Sequence, residues 1–291
     1  MYGVEKLYVP QTLEEALDIL AKDPEVQPLA GGTDIIVKMR SKHLKGVKLM
    51  SIAKLEELKG VEEKEDGTIV IGAGCTYTFL ANNEIINRRL PMIKTAGLSM
   101  GGPQIQNVAT MGGNICNGAT SADGAPSLFA LDAVLVLRTA NGERRVPITD
   151  FYAGPGRVKK EPGELLVCFE ISSAKASNWG GRYIKSSVRK AMDLSTLGAA
   201  ATCLINEDGT VAKAAISLGV AGPTPIRCAE AEAFLEGKIP TEEIMAECAE
   251  LVLGAANPRT SWRASKEFRI GLIKALSTRA FLGAYADAKG E

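Results

Sequence analysis

Two hydrophobic periods run along this chain, and the order in which they follow one another predicts the arrangement of its elements. Between Thr12 and Leu20, the apolar residues Leu13, Ala16, Leu17 and Leu20 recur at helical spacing. Thr12 precedes Glu15 by the interval at which a hydroxyl and a carboxylate cap a helix start. Val26 to Ala30 reads as a short strand, Ile35 to Arg40 as a helix and Val47 to Ile52 as a second strand, followed by a short helix at Leu55 to Leu58. The Asp66-Gly67 turn then opens a β-rich run, Thr68 to Gly72. Helical patterns cover Thr76 to Asn82 and Pro91 to Ser99, and a further short helix spans Pro126 to Leu131. Ala133 to Arg138 is a buried strand, Asn141-Gly142 a hairpin turn before Arg144 to Ile148, and Glu164 to Ile171 a long strand.

The polar stretch Ser172 to Gly181 marks the boundary between two regions. Beyond it, strands are expected at Gly181 to Ser186, Leu197 to Ile205 and Val211 to Leu218, with Asp208-Gly209 turning the second into the third. Helices follow at Cys228 to Leu235, Thr241 to Leu253 and Ser261 to Ala286, the last carrying Phe268, Leu272, Ala275, Leu276 and Phe281 on one face. The pattern predicts an α+β chain: a first domain over residues 1–175, then a smaller sheet covered by helices over 178–288.

Composition narrows the function classes. The 291 residues hold 34 Lys plus Arg and 34 Asp plus Glu, a formal charge of zero, with no basic stripe to suggest nucleic acid as the partner. Apolar runs fall short of a membrane span and the first residues lack a signal-peptide core, so a soluble cytoplasmic protein is expected. The six cysteines, Cys75, Cys116, Cys168, Cys203, Cys228 and Cys248, include no CxxC pair, which argues against a zinc ribbon or an iron–sulfur cluster on this chain. The one histidine, His43, sits among Lys42, Lys45 and Lys48 and reads as a surface residue.

Candidate chemistry concentrates in two glycine-bearing segments. The longer, Gly102 to Asp123 (GPQIQNVATMGGNICNGATSAD), packs four glycines, three asparagines and three hydroxyl residues into 22 positions. Such segments let the backbone approach a ligand closely and present N–H groups to anions. The shorter, Leu29-Ala30-Gly31-Gly32-Thr33-Asp34, joins a strand to a helix, where free N–H groups meet phosphate. In it Asp34 reads as a helix cap rather than a catalytic acid. Neither segment is a GxGxxG dinucleotide fingerprint or a P-loop. Two such loops suggest a diphosphate held from two sides, with Asp123 able to accept from a ribose hydroxyl.

These segments resemble the flavin-binding subunits of molybdenum hydroxylases, the group that includes xanthine, carbon monoxide and nicotinate dehydrogenases. GPTPIR at Gly222 to Arg227 and SWRASKEFR at Ser261 to Arg269 extend the resemblance over nearly the whole chain. It implies a two-lobed FAD domain of the vanillyl-alcohol-oxidase type, with lobes near 1–57 and 58–175, and a smaller C-terminal domain like that of the CO-dehydrogenase flavoprotein. By position it implies that Leu29, Ala30, Gly31, Gly32, Thr33, Asp34, Ile35 and Ile36 hold the pyrophosphate, with Ala109, Thr110, Gly112, Gly113 and Asn114 as the opposite wall. Asp123 would then bind the ribose or ribityl portion, Leu165 and Leu166 the adenine side, and Lys185 would lie near the cofactor. Ser186 to Thr196 would flank the isoalloxazine ring. Gln106 stands where the family often carries a basic residue, which puts one side-chain contact in doubt.

The function so implied is an electron relay within a heterotrimer. Electrons would come from a small 2Fe-2S subunit and pass to NAD+, while a large molybdopterin subunit hydroxylates a purine. The alternative is a self-contained FAD-dependent oxidoreductase using groups such as Tyr77, Tyr152, Tyr183 or Arg189 on its own substrate.

Overall fold

The computed structural model describes residues 3–43 and 45–291. The first lobe is a parallel three-stranded sheet of order β1-β3-β2, formed by β1 (Val4–Tyr8), β2 (Gln27–Leu29) and β3 (Val47–Ser51). Crossover helices α1 (Leu13–Lys22) and α2 (Ile35–Ser41) connect them. Thr12 accepts from the Glu15 N–H, so the predicted cap is present, and Leu13, Ala16, Leu17 and Leu20 are all buried. β1 has no sequence signal because its side chains are almost all exposed; backbone pairing with β3 makes it a strand.

The second lobe begins with a 3-10 turn at Glu56–Leu58, then β4 (Val61–Glu63) and β5 (Ile69–Gly72). A run of short helices follows: α3 (Tyr77–Asn82), α4 (Glu84–Arg89), α5 (Pro91–Leu98), α6 (Pro103–Gln106), α7 (Met111–Cys116) and α8 (Gly124–Ala130). β6 (Val134–Thr139) and β7 (Gly142–Pro147) form the expected hairpin; α9 (Ile148–Phe151) leads to the small ribbon β8 (Tyr152–Gly154) and β9 (Arg157–Val158). β10 (Leu165–Ile171) runs up the middle of an antiparallel five-stranded sheet ordered β4-β5-β10-β6-β7. The long segment expected to be loop thus carries two short helices, over residues 103–106 and 111–116. Thr110 caps α7 through the Gly113 N–H, and Pro103 occupies the first turn of α6, where its missing N–H costs nothing.

After α10 (Ser173–Ala176), the third sheet is ordered β11-β12-β13-β14: β11 (Gly180–Ser186), β12 (Leu197–Ile205), β13 (Val211–Gly219) and β14 (Ile226–Arg227). α11 (Ala229–Leu235), α12 (Glu242–Ala255) and α13 (Lys266–Lys289) complete the chain. α13 starts at the Ser265 cap, later than its apolar spacing suggested, because Ser261–Ala264 folds into a turn closed by an antiparallel bridge. Residues 197–203 are buried without interruption, since both faces of this sheet are covered. Tyr183, Ala200 and Ala215 join the core of the second lobe, while Ala199, Ala201, Ile216 and Leu218 pack with α11–α13. Among the described residues no helix is long and apolar enough to cross a membrane.

Candidate FAD-binding cavity

A cavity of about 600 Å³ lies where the lobes meet, and the two glycine segments line it from opposite sides. From the first lobe come Ala30, Gly31, Gly32, Thr33, Asp34 and Ile35; from the second Ala109, Thr110, Gly112, Gly113, Asn114 and Asp123. Leu165 and Leu166 on β10 form a third wall, and Met192, Asp193 and Leu194 stand at the rim. Of the residues anticipated here, Leu29, Ile36 and Lys185 do not line the cavity. Leu29 packs with Met39, Val47 and Leu49, and Ile36 is exposed, its side chain lying over Gly32.

The segments touch through their backbones. A Cβ on Gly31 would collide with the Val108 carbonyl, so only glycine permits this approach. Gly32 has φ +73°, the left-handed conformation that turns the chain into α2. Among the described residues the N–H groups of Gly31, Gly32, Thr33 and Asp34 have no acceptor within the protein. Four consecutive free donors on residues that line a cavity suit an oxyanion. On the opposite wall the N–H groups at the start of α7 are already spent: Gly112 donates to Ala73 O (2.9 Å), Gly113 to Thr110 Oγ1 (3.0 Å) and Asn114 to Thr110 O (3.0 Å). Further along the same segment, among the described residues, the N–H groups of Ala119 and Ser121, which also line the cavity, have no acceptor within the protein. The first segment supplies four consecutive free donors, and the second supplies a close glycine surface at α7 with further free donors beyond it.

Three anticipated side chains have different surroundings from those expected. Asp34 stands at the start of α2 but makes no capping bond. Its carboxyl opens into the cavity beside Asn117, and it is raised above its ordinary value by loss of water, with Lys38 and Asn117 pulling the other way. Asp123 is buried; its Oδ1 accepts from Tyr183 (3.1 Å) and Ser195 (2.5 Å), and its Oδ2 from Lys185 (2.9 Å). Lys185 spends its remaining donors on Ser99 O (2.9 Å) and Asp193 O (3.0 Å). It is neither an exposed strand lysine nor a free cavity cation; it joins β11, the Asp123 wall and the 187–196 loop from behind. Gln106 is buried and donates to the Leu98 and Met100 carbonyls, so it staples the turn before α6 rather than facing an anion.

The pattern reading missed Lys38, Asn117 and Lys160, all of which line the cavity. Lys38 follows Asp34 at i+4 on α2, a spacing that could have flagged it; Lys160 lies in an irregular segment and carries no such signal. Tyr77, Tyr152 and Tyr183 are buried, and burial pushes all three phenols up. Cys116, at the cavity wall, is pushed up to about 11 by burial and is a thiol, not a thiolate, at neutral pH. The six cysteines are unpaired, and among the described residues no group of three or more His, Cys, Asp or Glu could hold a metal ion. His43 is exposed.

A cleft between two lobes, walled by a glycine-tight cradle with a run of free backbone donors, is the geometry of a dinucleotide-cofactor carrier. Residues 3–172 match the family model of the FAD-binding domain in molybdopterin dehydrogenase, and residues 182–284 match the CO dehydrogenase flavoprotein C-terminal domain. The chain belongs to this family and is an FAD-binding oxidoreductase subunit of the molybdenum hydroxylase type. It is 40% identical over 291 residues to a putative xanthine dehydrogenase FAD-binding subunit of Escherichia coli (strain K12), covering 100% of this chain and 99% of that protein. A nicotinate dehydrogenase FAD-subunit of Eubacterium barkeri is 31% identical over 245 residues, 82% of each chain. In three dimensions the chain superposes on one from carbon monoxide dehydrogenase of Hydrogenophaga pseudoflava with a TM-score of 0.92, at 28% identity, covering 98% of this chain and 99% of that one.

Proposed function

We propose that this chain carries FAD as the electron-transfer subunit of a xanthine-dehydrogenase-type complex, taking electrons from a 2Fe-2S partner subunit and delivering them to NAD+. A large molybdopterin subunit would hydroxylate the substrate, a purine, and the complex would be a cytoplasmic heterotrimer of purine metabolism. The observation that carries the reading is the cavity between the glycine segments, with four free backbone donors on one wall. The 40% identity to a xanthine dehydrogenase FAD-binding subunit favours this member of the family over its relatives.

FAD would supply redox chemistry in one- or two-electron portions, and the protein its binding and orientation. The Gly31–Asp34 backbone would hold the diphosphate, with Ala109, Thr110, Gly112, Gly113 and Asn114 as the facing wall. Leu165 and Leu166 would exclude water from an apolar stretch of the cofactor. Asp123 retains acceptor capacity beyond its three donors for a hydroxyl. Lys185 would act by holding Asp123 and the 187–196 loop in place. A self-contained oxidoreductase finds little here to work with, because Tyr77 and Tyr183 donate to Asn114 and Asp123 within the core.

The purified full-length chain should contain one tightly bound FAD, seen by visible absorption, and oxidise NADH with artificial acceptors while leaving purines untouched. It should co-purify from its source with an iron–sulfur protein and a large molybdopterin protein. Oxidation of a purine or an alcohol by the lone chain would overturn the relay. Gly113→Asp, which puts a carboxylate against the diphosphate region, should abolish flavin occupancy with the circular dichroism spectrum kept.

A further inference from the structure

Two cations in the cavity wall are left without a role by the backbone cradle. Lys38, on α2 of the first lobe, and Lys160, ahead of β10 in the second, both line the cavity and are half-buried. Each holds its ammonium on neutral groups: Lys38 Nζ donates to Asn117 Oδ1, on the opposite lobe, and Lys160 Nζ to the Glu164 carbonyl (2.9 Å). Among the described residues neither forms an ion pair. The other charged groups of the wall are largely balanced. Asp123 is paired with Lys185 at 2.9 Å, and Asp193 receives the Arg189 N–H and lies 3.7 Å from its guanidinium. Asp34 is the one carboxylate left, and it sits beside Lys38. Two lysines against one carboxylate leave one surplus positive charge in the cavity that residues 31–34 also line. Partly desolvated ammonium groups with no carboxylate directly bonded to them are costly, and an arriving anion lowers that cost.

We infer that Lys38 and Lys160 are the counter-charges for the cofactor's diphosphate, one from each lobe. The inference rests on the FAD reading above. It assigns a division of labour: the 31–34 backbone supplies directional donors, and the two lysines supply the net charge that makes a diphosphate preferable to an uncharged ligand. Lys38 already spans from α2 to Asn117 at the end of α7, so exchanging the amide for a phosphoryl oxygen needs no movement of either helix.

The test titrates FAD-depleted full-length chain with FAD and with riboflavin, which carries the same ring and no phosphate, at low and high salt. Lys38→Met and Lys160→Met should each weaken FAD binding about tenfold, and the double variant about a hundredfold, the loss expected for one and two charge-assisted hydrogen bonds. Riboflavin binding should stay at the wild-type value, and the salt sensitivity of FAD affinity should shrink, because less of it is then electrostatic. Lys38→Arg and Lys160→Arg, which keep the charge, should restore most of the affinity. Methionine variants that bind FAD with wild-type affinity and salt response would overturn the proposal while leaving the FAD reading intact. Equal loss of FAD and riboflavin would also overturn it, since the lysines would then be shaping the cavity and not reading charge. A wild-type chain indifferent to FAD would instead refute the reading on which the inference rests.

Discussion

Glycines at the cavity are not equivalent, although the pattern of letters treats them alike. Gly31→Ala would drive a methyl group into the Val108 carbonyl, a backbone atom that can yield only if the two segments part. It should cost about 1–3 kcal/mol or more, as overpacking does, and release the flavin; a thermal melt and absorption spectrum of the purified variant check both. Gly113→Ala would meet only the Thr110 hydroxyl, at 3.0 Å, within a helix that favours alanine over glycine by about 1 kcal/mol. That variant should keep its stability within about 1 kcal/mol of the parent, scored by urea unfolding. Asp34 offers a pH test. Its carboxyl is raised in the folded chain above the ordinary 3.8, so the unfolded state ionises first as pH rises. Stability should fall through that window and stay lower above it. Asp34→Asn should therefore raise stability at neutral pH in the flavin-free chain, with the gain vanishing below the ordinary carboxylate range; equal melts at pH 7 would contradict this.

Between elements, the decisive links are polar and come from residues far apart in the chain. Lys185 of β11 meets Asp123 ahead of α8 across 62 positions, with side chains only 8% and 6% exposed. Removing one member of a buried pair leaves the other charge uncompensated, so Lys185→Met should cost about 3–5 kcal/mol. The double change Lys185→Met with Asp123→Asn should recover part of that, measured as a double-mutant cycle in urea. Arg144 on β7 grips Glu164 at 2.5 and 2.8 Å just before β10. Burial alone would push Glu164 up, yet the Arg144 guanidinium and the Glu161 N–H bring it below its ordinary value. Its contribution is therefore present above the ordinary carboxylate range and lost as pH falls through the folded value. The helical conformation of residues 103–106 and 111–116 belongs at this scale too. The segment read as loop from its glycines and asparagines, but contacts such as Met111 N–H to Cys75 O and Gly112 N–H to Ala73 O override weak local propensity.

For the molecule as a whole, the third sheet is the keystone. Its Tyr183, Ala200 and Ala215 complete the core of the second lobe, and Arg227 of β14 reaches back to the Phe129 carbonyl (2.8 Å) and to Asp132. The C-terminal region is thus not an appendage that could leave without exposing the first. A chain truncated after residue 175 should bind a hydrophobic dye and aggregate, and the intact chain should melt in one calorimetric transition; two well-separated transitions would show that the sheet's shared face contributes little.

Much of this was legible in the residues themselves. Apolar spacing located α1, the central strands and the late helices, because period and burial coincide wherever one face is covered, and the glycine segments announced a ligand cradle because few other sequences tolerate such close backbone approach. Local pattern also determined that the chain would alternate first and then turn to sheet-plus-helix. The tertiary structure decided the rest. It made a strand of exposed β1, spent the donors of Gly112 and Gly113 while leaving those of Gly31 and Gly32 free, turned Lys185 and Gln106 inward, and brought Lys38 and Lys160 to one cavity. The physical reason is common to all of these: propensity and period act between neighbours in the chain, whereas a hydrogen bond or a charge is settled by whichever partner folding brings within reach.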